Sequence, residues 1–161
     1  MGSHNSIIAL FEDVATDLQD GFEVGYGSAD DFNSIRDKKY PYNWIDPITG
    51  GFPSLDNGMV GNTIEWQISM NFLKLDDKDG NEKETAIILG ETFDLMEKYI
   101  HKLDREFINN ETDSRIQSGN IQIKNSTFKS RRKGLTDFVS GWTLTFTLIT
   151  QSEFDYCSIY E

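Results

Sequence analysis

TIEWQISMNFLKLDDKDGNEKETAIILGETFDLMEKYIHKLDREF, residues 63–107, decides the fold. Its first part alternates. Ile64, Trp66, Ile68, Met70 and Phe72 are apolar, and Glu65, Gln67, Ser69 and Asn71 between them are polar. A period of two predicts a half-buried β-strand. Asp76-Asp77-Lys78-Asp79-Gly80-Asn81 interrupts it with turn-forming residues. From Thr85 the period becomes helical: Leu89, Phe93, Met96, Ile100, Leu103 and Phe107 recur every three or four residues and share a helix face. Asn81 and Glu84 have capping-box spacing at its start. Gly90 costs about 1 kcal/mol relative to alanine inside a helix, and a close approach of helix to sheet is the expected reason for it. A one-sided strand followed by a one-sided helix predicts a helix lying on a sheet.

On the N-terminal side, Ile7, Leu10, Phe11, Val14 and Leu18 predict an amphipathic helix over Ser6–Gln19. Ser6 is its expected N-cap and Asp20-Gly21 its stop. Phe22–Ser28 reads as a short extended segment whose glycines suit a bent edge. Its Gly25-Tyr26-Gly27 does not continue as a dinucleotide-binding fingerprint. Asp30–Lys39 reads as a helical turn or loop with Phe32 and Ile35 as anchors. Tyr40, Tyr42 and Trp44 alternate in a strand with Pro41 at its start or on an edge. Ile48–Gly61 carries four glycines and a proline and reads as an irregular connection.

On the C-terminal side, Ser118–Phe128 opens another sheet region through Ile121 and Ile123. Ser130–Ser140 reads as a loop or long hairpin tip. Trp142, Leu144, Phe146 and Leu148 alternate with Thr143, Thr145 and Thr147, a strand rich in aromatic and β-branched residues. The order of elements predicts an α+β fold: a mainly antiparallel sheet with two amphipathic helices packed on it. The 161 residues are read as one domain, 1–161, in which 125–141 forms an extended loop or hairpin.

Composition narrows the function. No apolar run is long enough to cross a membrane as a helix, and the N-terminus lacks the pattern of a secretory signal. Met1-Gly2 with Ser6 fits the myristoylation pattern formally and is read as a chance match. The single Cys157 rules out an intrachain disulfide and a multi-thiolate metal site. His4 and His101 are far apart in sequence. A net charge of −12 argues against wrapping nucleic acid or lying on an anionic membrane, both of which need clustered bases. It fits either simple solubility or a surface that DNA passes without sticking.

Asp76, Asp77, Asp79 and Gly80 invite comparison with a calcium loop. With Gly80 at the sixth position, Leu75 and Ala86 fall where the first and last ligands belong, so the motif fails. Serine-hydrolase, zinc-protease and phosphate-loop motifs are missing from the sequence, and no cofactor or metal is expected. The distribution of charge says more. Lys124, Lys129, Arg131, Arg132 and Lys133 lie within ten positions of an otherwise acidic chain. They read as a solvated hairpin tip, or as a contact that meets an acidic patch of another copy, Asp30-Asp31 or Asp76–Asp79. Complementary patches on one chain suit head-to-tail association, which closes into rings.

Several segments together resemble the tail terminator, or tail completion, proteins of tailed bacteriophages. They are Asp31-Phe32-Asn33, the run Lys39-Tyr40-Pro41-Tyr42-Asn43-Trp44-Ile45-Asp46-Pro47, the Ile64–Phe72 strand with its acidic turn and long helix, and the closing Val139–Leu148. The resemblance covers most of the chain as a pattern of elements. It implies a homo-oligomeric ring, commonly a hexamer, that ends the tail tube. The implied partners are the tail tube protein and the head-completion or neck connector, with DNA passing through the lumen without specific binding. The implied location is the virion, after assembly in the host cytoplasm, with no catalysis. A neck or adaptor ring of a short-tailed phage shares this logic. A small-ligand binding domain or an enzyme is the competing class, and it requires a pocket between helix and sheet. The expected subunit contacts are Tyr40, Tyr42 and Trp44, the acidic Asp76, Asp77 and Asp79, and the basic Lys129, Arg131, Arg132 and Lys133.

Overall fold

The computed structural model describes residues 4–18, 23–53, 63–108, 122–135 and 137–151. Helix α1 spans His4–Asp17, strand β1 Glu23–Tyr26, helix α2 Ala29–Ser34, and strands β2 and β3 Tyr42–Ile45 and Thr49–Gly51. Strand β4 spans Thr63–Leu75 and helix α3 Glu82–Lys102, which continues as a π-type stretch, Leu103–Ile108. Strands β5, Gln122–Gly134, and β6, Val139–Gln151, close the order. The fold is α+β. Six strands form one sheet in the order β1-β2-β4-β6-β5, with β3 also pairing with β4. Only β1 and β2 run parallel among these pairs.

The β4–β6 pair is the spine. Its register runs without a break from Thr63↔Gln151 to Leu75↔Val139. The alternating residues of both strands therefore meet on one face. Ile68, Met70 and Phe72 of β4 and Leu144, Phe146 and Leu148 of β6 are all at most 2% exposed. Helices α1 and α3 cover that face. Phe11 meets Phe146 edge-on at 6.2 Å, and Tyr99 meets Phe72 at 5.3 Å. Burying each such aromatic side chain contributes roughly 1.5–3 kcal/mol before entropy is counted. These side chains form one contiguous apolar cluster between the helices and the sheet.

Helix α2 lies on the opposite face. Phe32 stacks edge-on against Tyr42 and Trp44, and Leu73 and Val139 complete a second, smaller core. This explains why β2 is buried at all four positions, and why Asn71 and Leu73 are buried along with the expected Met70 and Phe72. The half-buried pattern expected of β4 holds only where α2 does not reach.

Several expected boundaries change. Helix α1 begins at His4, so Ser6 lies inside it instead of capping it. The expected stop at Asp20-Gly21 lies outside the described residues. A true capping box starts α2, where Ser28 and Asp31 bond each other's backbone N–H groups. Asn81 and Glu84 do the same for α3, as their spacing predicts. Thr49–Gly51, expected to be irregular, pairs with Glu65–Gln67 of β4. Most of Ser130–Ser140 is strand, because β5 runs to Gly134 and β6 starts at Val139. Gly90 does not face the sheet: a Cβ placed there meets nothing within 4 Å.

Candidate subunit interface

Strand β5 places the basic cluster at one end of the sheet. It pairs only with β6, so among the described residues its outer edge is open. Lys124, Lys129 and Arg131 stand opposite Thr147, Thr143 and Gly141, on the face turned away from α1 and α3. Arg132 lies within the second register shift and turns the other way, its Nη1 donating to Glu82 Oε2 at 2.7 Å. Both partners are largely exposed, so the pair contributes less than about 1 kcal/mol. Lys133 lies in β5, and its side chain is outside the described residues.

The acidic turn is not at the far end of the molecule. It sits beside the hairpin tip, because the β4–β6 register sets Leu75 against Val139. Asp76 is only 9% exposed and belongs to the interior. Its Oδ2 accepts from Thr85 Oγ1 at 2.9 Å and from Ser140 Oγ at 2.6 Å, and its N–H donates to Phe138 O at 2.9 Å. One carboxylate thus ties together the end of β4, the first turn of α3 and the start of β6. Asp77 and Asp79 are exposed. Asp77 Oδ1 accepts from the Asp79 N–H at 2.9 Å, which shapes the turn. The acidic turn and the basic strand are therefore neighbours in one chain, and Arg132 already meets an acid there.

The aromatic segment is also spent within the subunit. Tyr42 and Trp44 are 6% and 4% exposed, and Trp44 Nε1 donates to Gly27 O at 3.0 Å. They serve as core under α2, which corrects their expected role as contacts. Tyr40 is half-buried, and its hydroxyl donates to Asp137 Oδ2 at 2.8 Å. Lys38 Nζ reaches the same oxygen at 2.7 Å, with its side chain 5% exposed. These bonds hold the hairpin tip against the α2–β2 connection. Burial, then the bond to Asp137, pushes the Tyr40 hydroxyl far above its ordinary range. The bonds from Lys38 and Tyr40 hold the Asp137 carboxyl below its ordinary value.

One exposed feature was missed in the sequence. Phe128 of β5 is 57% exposed and forms an edge-on trio with Phe93 of α3 and Trp142 of β6, the ring centres 5.4–5.6 Å apart. Trp142 Nε1 donates to Leu89 O at 2.8 Å, which fixes the ring. The signal was present: a lone aromatic inside a basic strand, at the alternate position to Lys129.

Two surface grooves accompany these features. One, about 470 Å³, is lined by Leu18, Glu97, Lys98, His101, Lys102 and Arg105. The other, about 230 Å³, lies over β3 and is lined by residues that include Phe52, Glu65 and Gln67. Among the described residues, no three His, Cys, Asp or Glu side chains gather as a metal site. No helix of the described residues is long and apolar enough to cross a membrane. Comparison with protein-family models and with curated proteins returns no match.

Proposed function

We propose that this chain is a structural subunit of a phage virion that assembles as a ring at the head–tail junction. There it ends the tail tube, receives the head connector and lets DNA pass. The observation that carries the reading is the β5 edge, unpaired among the described residues, with its row of Lys124, Lys129 and Arg131, at one end of a sheet whose other end bears Glu23 of β1. Unlike ends on one rigid body favour heterologous contacts, and such contacts close into rings when the rotation fits. The rest of the chain supports a channel through which DNA moves. Outside Lys124–Lys133 it holds ten bases against 27 acids, a poor surface for phosphate. The apolar side chains that α1 and α3 bury against the sheet favour a structural body over the competing small-ligand reading, which needs a pocket lined by convergent polar groups.

The test is native mass spectrometry and negative-stain imaging of the protein alone and with tail tubes. A closed ring that caps tubes and stops their growth is the expected result. A chain that stays monomeric at the highest attainable concentration, with and without tubes, overturns the proposal.

A further inference from the structure

The geometry points to the surface through which copies join: the β1 edge of one copy pairs antiparallel with the Thr127–Arg131 edge of β5 in the next, so that the sheet runs on from subunit to subunit. This rests on the ring reading above and names the contact it needs. Four observations carry it.

The first is that both edges are unpaired among the described residues. Among the described strands β1 pairs only with β2, and β5 only with β6. An open edge is a row of unpaired backbone donors and acceptors, a template for another strand. The second is length. Register shifts interrupt β5 between Lys124 and Thr127 and again between Arg131 and Gly134. Between them Thr127–Arg131 is regular, five residues long, and β1 has four. Bulges protect an edge from indiscriminate pairing, so the regular window is where a partner fits.

The third is direction. Strand β5 is antiparallel to β6, β6 to β4, and β4 to β2, while β2 and β1 are parallel. Strands β1 and β5 therefore run oppositely within a subunit. A second copy moved along the sheet, helices on the same side, brings its β1 to β5 in antiparallel register without being flipped. The fourth is chemistry on each face. Glu23 lies opposite Tyr42, on the α2 face, and Lys129 and Arg131 lie on that same face. Val24 packs against the main core, and Tyr26 meets His4 of α1 edge-on, so both point to the α1/α3 face, as Phe128 does through Phe93. Pairing the two edges sets acid against base on one face. On the other it brings the exposed Tyr26 towards the exposed Phe128. The basic row and the aromatic ring of β5 thus have one partner surface, and it is present on every copy.

Within one chain β1 and β5 are four strand spacings apart, roughly 19 Å, which no disulfide can span. In a Cys157→Ser background, Glu23→Cys is combined with Lys129→Cys, and separately with Arg131→Cys, to cover both in-face registers. Mild oxidation of the full chain is expected to give covalent multimers on a denaturing gel in one register, and no multimers from either cysteine alone. Independently, Lys129→Glu with Arg131→Glu, or Glu23→Lys alone, is expected to abolish ring formation while circular dichroism and melting stay as in the parent. Combining the reversals is expected to restore it. Rings that form by native mass spectrometry without cross-links in either register, or that survive charge reversal, overturn the edge pairing and leave the ring reading standing. A chain that never leaves the monomer overturns both.

Discussion

At the residue scale, two glycines carry opposite messages. A Cβ at Gly141 would stand 1.8 Å from Phe72 O, where backbone meets backbone across the β4–β6 spine. Nothing flexible can yield there, so Gly141→Ala is expected to cost about 3 kcal/mol, near the top of the range for overpacking. Denaturant titration reads this directly, and a loss under about 1 kcal/mol would refute the close approach. Gly90 stands on the open side of α3, so Gly90→Ala adds a Cβ into empty space and is expected to stabilise by about 1 kcal/mol. The sequence marked Gly90 as unusual and assigned it to the wrong side. A helical glycine is visible in the sequence, but which side it faces depends on where the buried stripe lies. Asp137 provides a pH signature. Its folded-state pKa is depressed by Lys38 and Tyr40, so its contribution is present above the unfolded carboxylate value of about 3.9 and is lost as pH falls through the lower folded value. Asp137→Asn is expected to destabilise the chain at neutral pH and to flatten the acid limb of its stability curve below about pH 4. An acid limb as steep as the parent's would remove this assignment.

At the scale of elements, α3 shows how far pattern reading reaches. Its capping box was legible from Asn81 and Glu84. Its apolar stripe was legible in period but displaced in angle. The buried line is Thr85, Leu89, Thr92, Met96, Tyr99 and Leu103, with Phe93 and Ile100 beside it. The displacement arises because two threonines and a tyrosine are buried by satisfying their own hydroxyls. Thr92 Oγ1 donates to Ile88 O at 2.8 Å, Thr85 to Asp76, and Tyr99 to Phe11 O at 3.0 Å. Strand β5 was partly lost for the complementary reason. An edge strand solvated on both sides has no apolar alternation, so Ser130–Gly134 read as loop. The two aromatic positions Tyr42 and Trp44 were read correctly as strand and wrongly as contacts, because a six-residue helix that packs on one phenylalanine leaves little trace in the sequence. The Tyr99 bond yields a prediction about α1. Tyr99→Phe leaves Phe11 O without this donor at full burial, so it is expected to cost about 1 kcal/mol. Faster hydrogen exchange concentrated in α1 is the readout, and exchange that rises evenly over α1 and the β4–β6 spine would show that the bond does not tether this helix.

At the scale of the whole molecule, charge opposes assembly at long range and favours it at contact. Two copies of net charge −12, with centres about 30 Å apart for domains of this size, repel by ~20 kcal/mol in unscreened water. At 0.01 M salt the Debye length is about 30 Å, and roughly a third of that repulsion survives. At 0.15 M it is about 8 Å, and only a few per cent survives. Ion pairs of the kind Glu23 and Arg131 would form, at about 4 Å, lose much less over the same range and weaken mainly towards 1 M, where the Debye length is about 3 Å. The two ranges separate the effects. The assembled fraction, measured by sedimentation velocity, is expected to rise between 0.01 and 0.15 M salt and to fall again towards 1 M. The double variant Lys129→Glu with Arg131→Glu has more to repel and less to attract, so it should show no maximum. A parent whose assembly falls steadily from the lowest salt upward would mean that attraction between unlike ends already dominates at 30 Å. The −12 would then be distributed too unevenly for centre-to-centre repulsion to describe it.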